Sequence, residues 1–98
     1  MSELLHARTE IRGRVATVFV DGECDAGCAA PLGQALANVV TQVDRVVVDM
    51  RGLTFADSSL THVLDSATAA ARGCGTTLEI RGATGIVARV LELTRLQG

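Results

Sequence analysis

The stretch RVVVDMRGLTFADSSL, residues 45–60, decides how this chain is read. RVVVDM, residues 45–50, is a short continuous apolar run, the pattern of a strand buried on both faces at the centre of a parallel sheet. RGLTFA leads out of it, and DSSL opens a helical run. Leu60, Val63, Leu64, Ala67 and Ala71 then keep helical spacing until Gly73 ends the element.

The elements on either side follow the same alternation. RVATVFV, residues 14–20, sets Val15, Thr17 and Phe19 against Ala16, Val18 and Val20, and its β-branched content favours a strand. LLHARTEI before it is separated only by Arg12-Gly13-Arg14, a connection short enough for a hairpin and an antiparallel pair. After DGECDAGCAA, Pro31 is acceptable in a first helical turn, where its missing N–H has no intrahelical acceptor. Leu32, Ala35, Leu36, Val39, Val40 and Val43 form one apolar stripe behind it.

GCGTT is turn chemistry, TLEIRG reads as a fourth strand, and Ile86, Val87, Val90, Leu91 and Thr94 trace a third helix from Thr84 or Gly85. The order strand, strand, helix, strand, helix, strand, helix gives an α/β domain with a mixed four-stranded sheet. The right-handed crossover rule places the helices mainly on one face. One domain is expected across residues 1–98, because a chain of this length with 48% hydrophobic residues builds one core.

Composition narrows the function. Phe19 and Phe55 are the two aromatic residues, so stacking platforms for bases are missing. All nine basic residues are Arg, and eleven acidic residues bring the net charge to −2. That balance argues against nucleic-acid binding. The Arg-for-Lys bias, with abundant Ala, Gly and Val, points to a GC-rich bacterial genome. The sequence has no apolar leader and no run long enough to span a bilayer, so a cytoplasmic location without membrane insertion is the expectation.

Cys24, Cys28 and Cys74 are odd in number and lack an export signal, which favours reduced, buried thiols over a disulfide framework. The C-x3-C pair has no second ligand pair nearby, so no metal is expected. RGATG, residues 81–85, lacks the Lys and spacing of a phosphate loop, and neither a nucleotide nor another cofactor is expected. Ser58 and His62 lie four apart on one helix without an orienting third group, too little for a nucleophilic pair. No catalytic residue is assigned, and the chain reads as a protein that is not an enzyme.

Asp57, Ser58 and Ser59 stand where a helix N-cap belongs, and any of the three would serve, contributing about 1 kcal/mol. A serine exposed at that position also suits phosphorylation, since a phosphate there meets free N–H groups and the positive end of the helix dipole.

Residues 45–59 resemble the signature of STAS domains, the family of bacterial anti-sigma factor antagonists and related modules: an apolar strand, Asp or Asn, Leu, then F-x-D-S-S/T-G-L. The GECD segment with its following helix, LEIRG and the ARVLELT helix match in order and spacing. The resemblance implies that Ser58, the first serine after the Asp, is the phosphorylated residue. It also implies that Asp25, Asp57, Ser58 and Ser59 lie on a partner surface, to which Leu60, next in the chain and outside the family pattern, is added as an expected contact.

The implied cycle is partner switching. The unphosphorylated antagonist binds an anti-sigma factor that is a serine kinase and releases its sigma factor; phosphorylation ends the binding, and a serine phosphatase restores it. Two departures stand out. Leu60-Thr61 replaces the family's Gly-Leu, with Leu60 expected as bulk beside Ser58, and the chain stops where relatives continue into a further strand and helix. A second expectation is therefore a STAS module without the phosphorylation switch, such as a scaffold or an accessory subunit of a transport ATPase, with Leu60 in an apolar docking patch. The oligomeric state is not legible.

Overall fold

A computed structural model describes residues 5–97, with the side chains of residues 26, 29 and 92–97 outside that description. Four strands and three helices follow in the expected order: β1 (Leu5–Arg12), β2 (Val15–Cys24), α1 (Ala29–Val40), β3 (Arg45–Ala56), α2 (Ser58–Gly73), β4 (Thr77–Arg81) and α3 (Gly85–Gln97), with a 3₁₀ turn, Ala26–Cys28, ahead of α1. The sheet order is β1-β2-β3-β4. β1 and β2 are antiparallel, while β2-β3 and β3-β4 are parallel.

The hairpin turn follows from its glycine. Arg12 pairs with Val15, leaving a two-residue loop, and Gly13 takes φ 60° while, among the described residues, no non-glycine residue has positive φ. A left-handed glycine at the first loop position continues the twist of both strands. Leu4 and Thr94, the outermost positions of the expected first strand and third apolar stripe, lie outside the described residues and side chains respectively.

The alternation in β2 resolves the two sides of the sheet. Ala16, Val18 and Val20 are wholly buried, as are Val46, Val48 and Met50 of β3, and Leu32, Leu36, Leu60 and Val87 close over them from the helices. The opposite face is more polar: Arg8, Phe19, Asp49 and Arg81 form one cross-strand row, beside Val15 and Val47. The Arg8 guanidinium lies 4.4 Å from the Phe19 ring centre, a cation–π contact that shields part of an aromatic side chain no helix covers. Glu79 accepts from Arg45 and from Arg81 Nε, the latter at 2.7 Å.

Three expectations need correcting. β2 and β3 run well past residues 20 and 50, because RGLTFA stays in the sheet opposite the DGEC segment, with register shifts between Phe19/Asp21 and Gly22/Glu23. An added residue in one strand lets pairing continue beyond the regular apolar alternation, which is why periodicity alone missed it. Gly52 sits opposite Asp21 inside this region, and a Cβ there would fall 1.8 Å from Asp21 Oδ1.

Second, α1 ends at Val40, a turn before the apolar stripe does. Val43 is buried in the loop, where the Thr76 hydroxyl donates to the Val40 carbonyl at 2.7 Å and lies 3.0 Å from that of Val43. A hydroxyl on the next connection thus satisfies carbonyls released at the helix end. Third, Cys24 and Cys28 are joined in a disulfide with a Cα–Cα distance of 5.0 Å, and Cys74 is free and exposed. Both paired cysteines are buried as expected, but not as separate thiols: the 3₁₀ turn folds the chain back so that their side chains meet beneath it.

Candidate functional site at the strand ends

Cys24 and Ala56 are the last registered pair of β2 and β3. Parallel strands lie about 4.8 Å apart, so the residues that follow, Asp25 and Asp57, leave the same end of the sheet side by side. Each then holds the start of a helical segment. Asp25 Oδ1 accepts from the Gly27 backbone N–H at 2.9 Å, and its carbonyl accepts from Cys28 N–H at 2.9 Å.

Asp57 is the cap of α2. Its backbone is extended, φ −122° and ψ −166°, and Oδ1 accepts from Ser59 N–H at 2.8 Å. Its carbonyl accepts from Leu60 N–H at 3.1 Å, and its own N–H donates to the Cys24 carbonyl at 3.1 Å. Of the three residues able to cap the helix, the acid takes the role, leaving Ser58 and Ser59 within the first turn.

Ser58 is exposed and Ser59 half-buried, whereas Leu60 is wholly buried. The cause is angular. Residues two apart on a helix differ by about 200° around its axis, so a Leu60 that leads the core stripe forces Ser58 outward. The structure therefore withdraws Leu60 from the partner surface: it adds no bulk beside Ser58 and offers no docking patch. The signal was in the sequence, since Leu60 heads the very stripe that identifies the buried face.

Phe55 is a surface group that no periodicity in the sequence singles out. It is 39% exposed and lies opposite Glu23, two residues before the cap. The adjacent Thr54 hydroxyl donates to the Gly22 carbonyl at 3.0 Å, tying this end of β3 to β2. Phe55 and Ser58, three residues apart in the chain, leave an aromatic and a hydroxyl exposed where β3 passes into α2.

His62 is exposed and lines a groove of about 280 Å³ between α1 and α2, with Gly33, Ala37, Val63, Ser66 and Ala67. Ser58 is not part of that lining. Among the described residues, no group of three or more His, Cys, Asp and Glu side chains is placed to hold a metal ion. No helix of the described residues is long and apolar enough to cross a membrane.

The fold and this strand-end geometry can be compared with known proteins. The family model described as Mlab, STAS domain matches residues 7–98. The chain belongs to the STAS domain family. Its backbone is similar to the anti-sigma factor antagonist SpoIIAA in its unphosphorylated form, with a TM-score of 0.81 at 16% identity over 93% of this chain and 82% of that one. An anti-sigma factor antagonist from Mycobacterium paratuberculosis gives a TM-score of 0.78 at 25% identity, over 95% of this chain and 80% of that one. The phosphorylated form of SpoIIAA from Bacillus gives 0.73 at 15% identity, over 94% and 86%. No curated protein matches the sequence. This STAS domain thus shares its mixed sheet and helix arrangement with anti-sigma factor antagonists.

Proposed function

We propose that this STAS domain is an anti-sigma factor antagonist that docks on an anti-sigma factor serine kinase through the Ser58 end of α2, and that phosphorylation of Ser58 ends the docking. The observation that carries the reading is the division of labour in Asp57-Ser58-Ser59. Asp57 is occupied as the cap, and Ser58 is exposed beside it. A kinase can reach the Ser58 hydroxyl without disturbing the hydrogen bonds that start the helix.

In the transfer step Ser58 Oγ forms a bond to the γ-phosphorus of ATP as the bond to the ADP oxygen breaks, and the hydroxyl proton leaves to a base on the kinase. The product carries about −1.5 to −2 charges at neutral pH. The helix dipole tolerates a phosphate there, so α2 remains folded. The new charge stands at the same end as Asp57 and Asp25, where it opposes docking of an acidic partner surface by like-charge repulsion and of an apolar one by the cost of desolvating the phosphate. A serine phosphatase that hydrolyses the ester restores the hydroxyl and the docking.

A second reading, a STAS accessory or scaffold module without the phosphorylation switch, is favoured by one observation: the matching family model is described as Mlab, STAS domain, with no mention of a sigma factor. One experiment separates the readings: intact mass after incubation with ATP and the anti-sigma kinase encoded nearest to this chain's gene, comparing wild type with Ser58→Ala. A gain of one phosphoryl group confined to wild type supports the antagonist. No gain in either protein, with the kinase active on another antagonist, favours the accessory module.

A further inference from the structure

The Cys24–Cys28 pair lies directly under the strand-end site. Cys24 closes β2 and its carbonyl holds the N–H of Asp57, the cap of α2, at 3.1 Å. Cys28 is the N-cap residue of α1 and makes no side-chain capping bond. Between them lies the turn held by Asp25 through Gly27 and Cys28 N–H. The disulfide therefore clamps the start of α1 to the end of β2, whose last carbonyl holds the cap residue of α2. The 3₁₀ turn it encloses packs against α2 as well as α1.

We propose that Cys24 and Cys28 are a reversible dithiol–disulfide site that controls the rigidity of the Ser58 end of the domain. The two Cα atoms are 5.0 Å apart, within the span a disulfide bridges. Cys24 is fixed by the sheet, whereas Cys28 sits on a three-residue turn. Local opening of that turn is the step that gives a small thiol or disulfide access to sulfurs that are buried in the closed state.

Oxidation balances with a low-molecular-weight disulfide such as oxidised glutathione as co-reactant. The Cys28 thiolate attacks one of its sulfurs, forming a mixed disulfide and expelling one glutathione thiolate. The Cys24 thiolate then attacks the Cys28 sulfur and expels the second. The two protein thiols lose two protons and two electrons, and one glutathione disulfide becomes two glutathiones. Reduction is the reverse exchange. With the bridge open, Cys28 is no longer tied to Cys24, and the hydrogen bond from Asp57 N–H rests on a strand end without its brace.

The redox site stands independently of the antagonist reading; only its effect on a docking kinase rests on it. The test accordingly uses neither kinase nor ATP. The protein carries Cys74→Ser, which removes the exposed third thiol, and is equilibrated in glutathione buffers of graded redox ratio. Mass after alkylation counts the thiols, and amide hydrogen exchange is followed at Asp57, Ser59 and Leu60. The expected result is reversible loss of two alkylatable thiols, with exchange at those amides at least about fivefold faster in the reduced form and unchanged in the β1-β2 hairpin. Two thiols that stay alkylatable in the most oxidising native buffer overturn the site. A disulfide that forms while exchange at all three amides stays the same overturns the control of the Ser58 end. In either case the phosphorylation test on wild type and Ser58→Ala retains its own answer.

Discussion

The backbone N–H of Asp57 donates to the carbonyl of Cys24 at 3.1 Å, so the cap of α2 is fastened to the last residue of the neighbouring strand before it captures Ser59 N–H with its side chain. The exposed serine between them is held by two anchors it does not itself supply. Charge and capping can be separated there. Asp57→Ala is expected to cost about 1 kcal/mol in chemical denaturation, while Asp57→Asn, which caps comparably, costs a few tenths. Equal losses in the two variants would show that the carboxylate matters to the fold through its charge.

Leu60 is a core residue in spite of its place in the motif. Leu60→Ala is expected to destabilise the domain by about 3 kcal/mol, and Leu60→Met by less than about 1.5 kcal/mol. Leu60→Gly, which restores the family residue, loses the same buried side chain and in addition about 1 kcal/mol of helix propensity. Urea melts of the three variants check the ranking; a Leu60→Gly protein as stable as wild type would mean that the side chain is not packed in the core.

Phe55 is an exposed apolar group three residues before Ser58. Phe55→Ala is expected to change stability by less than about 1 kcal/mol, because much of the ring is already in water. If the antagonist proposal holds, affinity for an anti-sigma factor kinase is expected to fall about tenfold or more, the loss of an aromatic anchor. Titration calorimetry on the unphosphorylated protein gives the affinity. Unchanged binding would place the docking surface elsewhere.

Asp49 lies on the polar face of the sheet and is nearly enclosed, with the Arg51 guanidinium and backbone N–H both donating to it. The Arg51 side chain above all, with its backbone N–H, holds the carboxyl below its ordinary range. A carboxyl whose pKa is lower folded than unfolded binds protons more readily in the unfolded chain. Its stabilisation is therefore complete above the unfolded value, about 4, and is lost as pH falls below that through the folded pKa. Melting temperature is expected to decline as pH falls below about 4 in wild type and to decline less steeply in Asp49→Asn, which lacks the titrating group. Equal slopes would remove Asp49 from the acid response.

Much of this was legible along the chain. The buried stripe Leu60, Val63, Leu64, Ala67 and Ala71 was read in full, because helical spacing repeats a face every turn and a core selects for it. The hairpin was legible in Gly13, since few residues other than glycine accept the turn's backbone. The extensions of β2 and β3 were not. Their register shifts interrupt the two-residue period, and the pairing partner of RGLTFA is a segment some thirty residues away.

The sequence by itself determined the order of the elements, the parallel centre of the sheet, the buried face of α2 and the presence of a capped, serine-bearing helix start. These depend on periodicity and on bonds between residues close in the chain. Tertiary structure alone decided which residues meet at the strand ends: Asp25 beside Asp57, Cys24 under the α2 cap, Cys28 folded back on Cys24, and Phe55 left in water. Those relations depend on how β2 and β3 are registered, and register is fixed by packing across the whole sheet, which no local pattern contains.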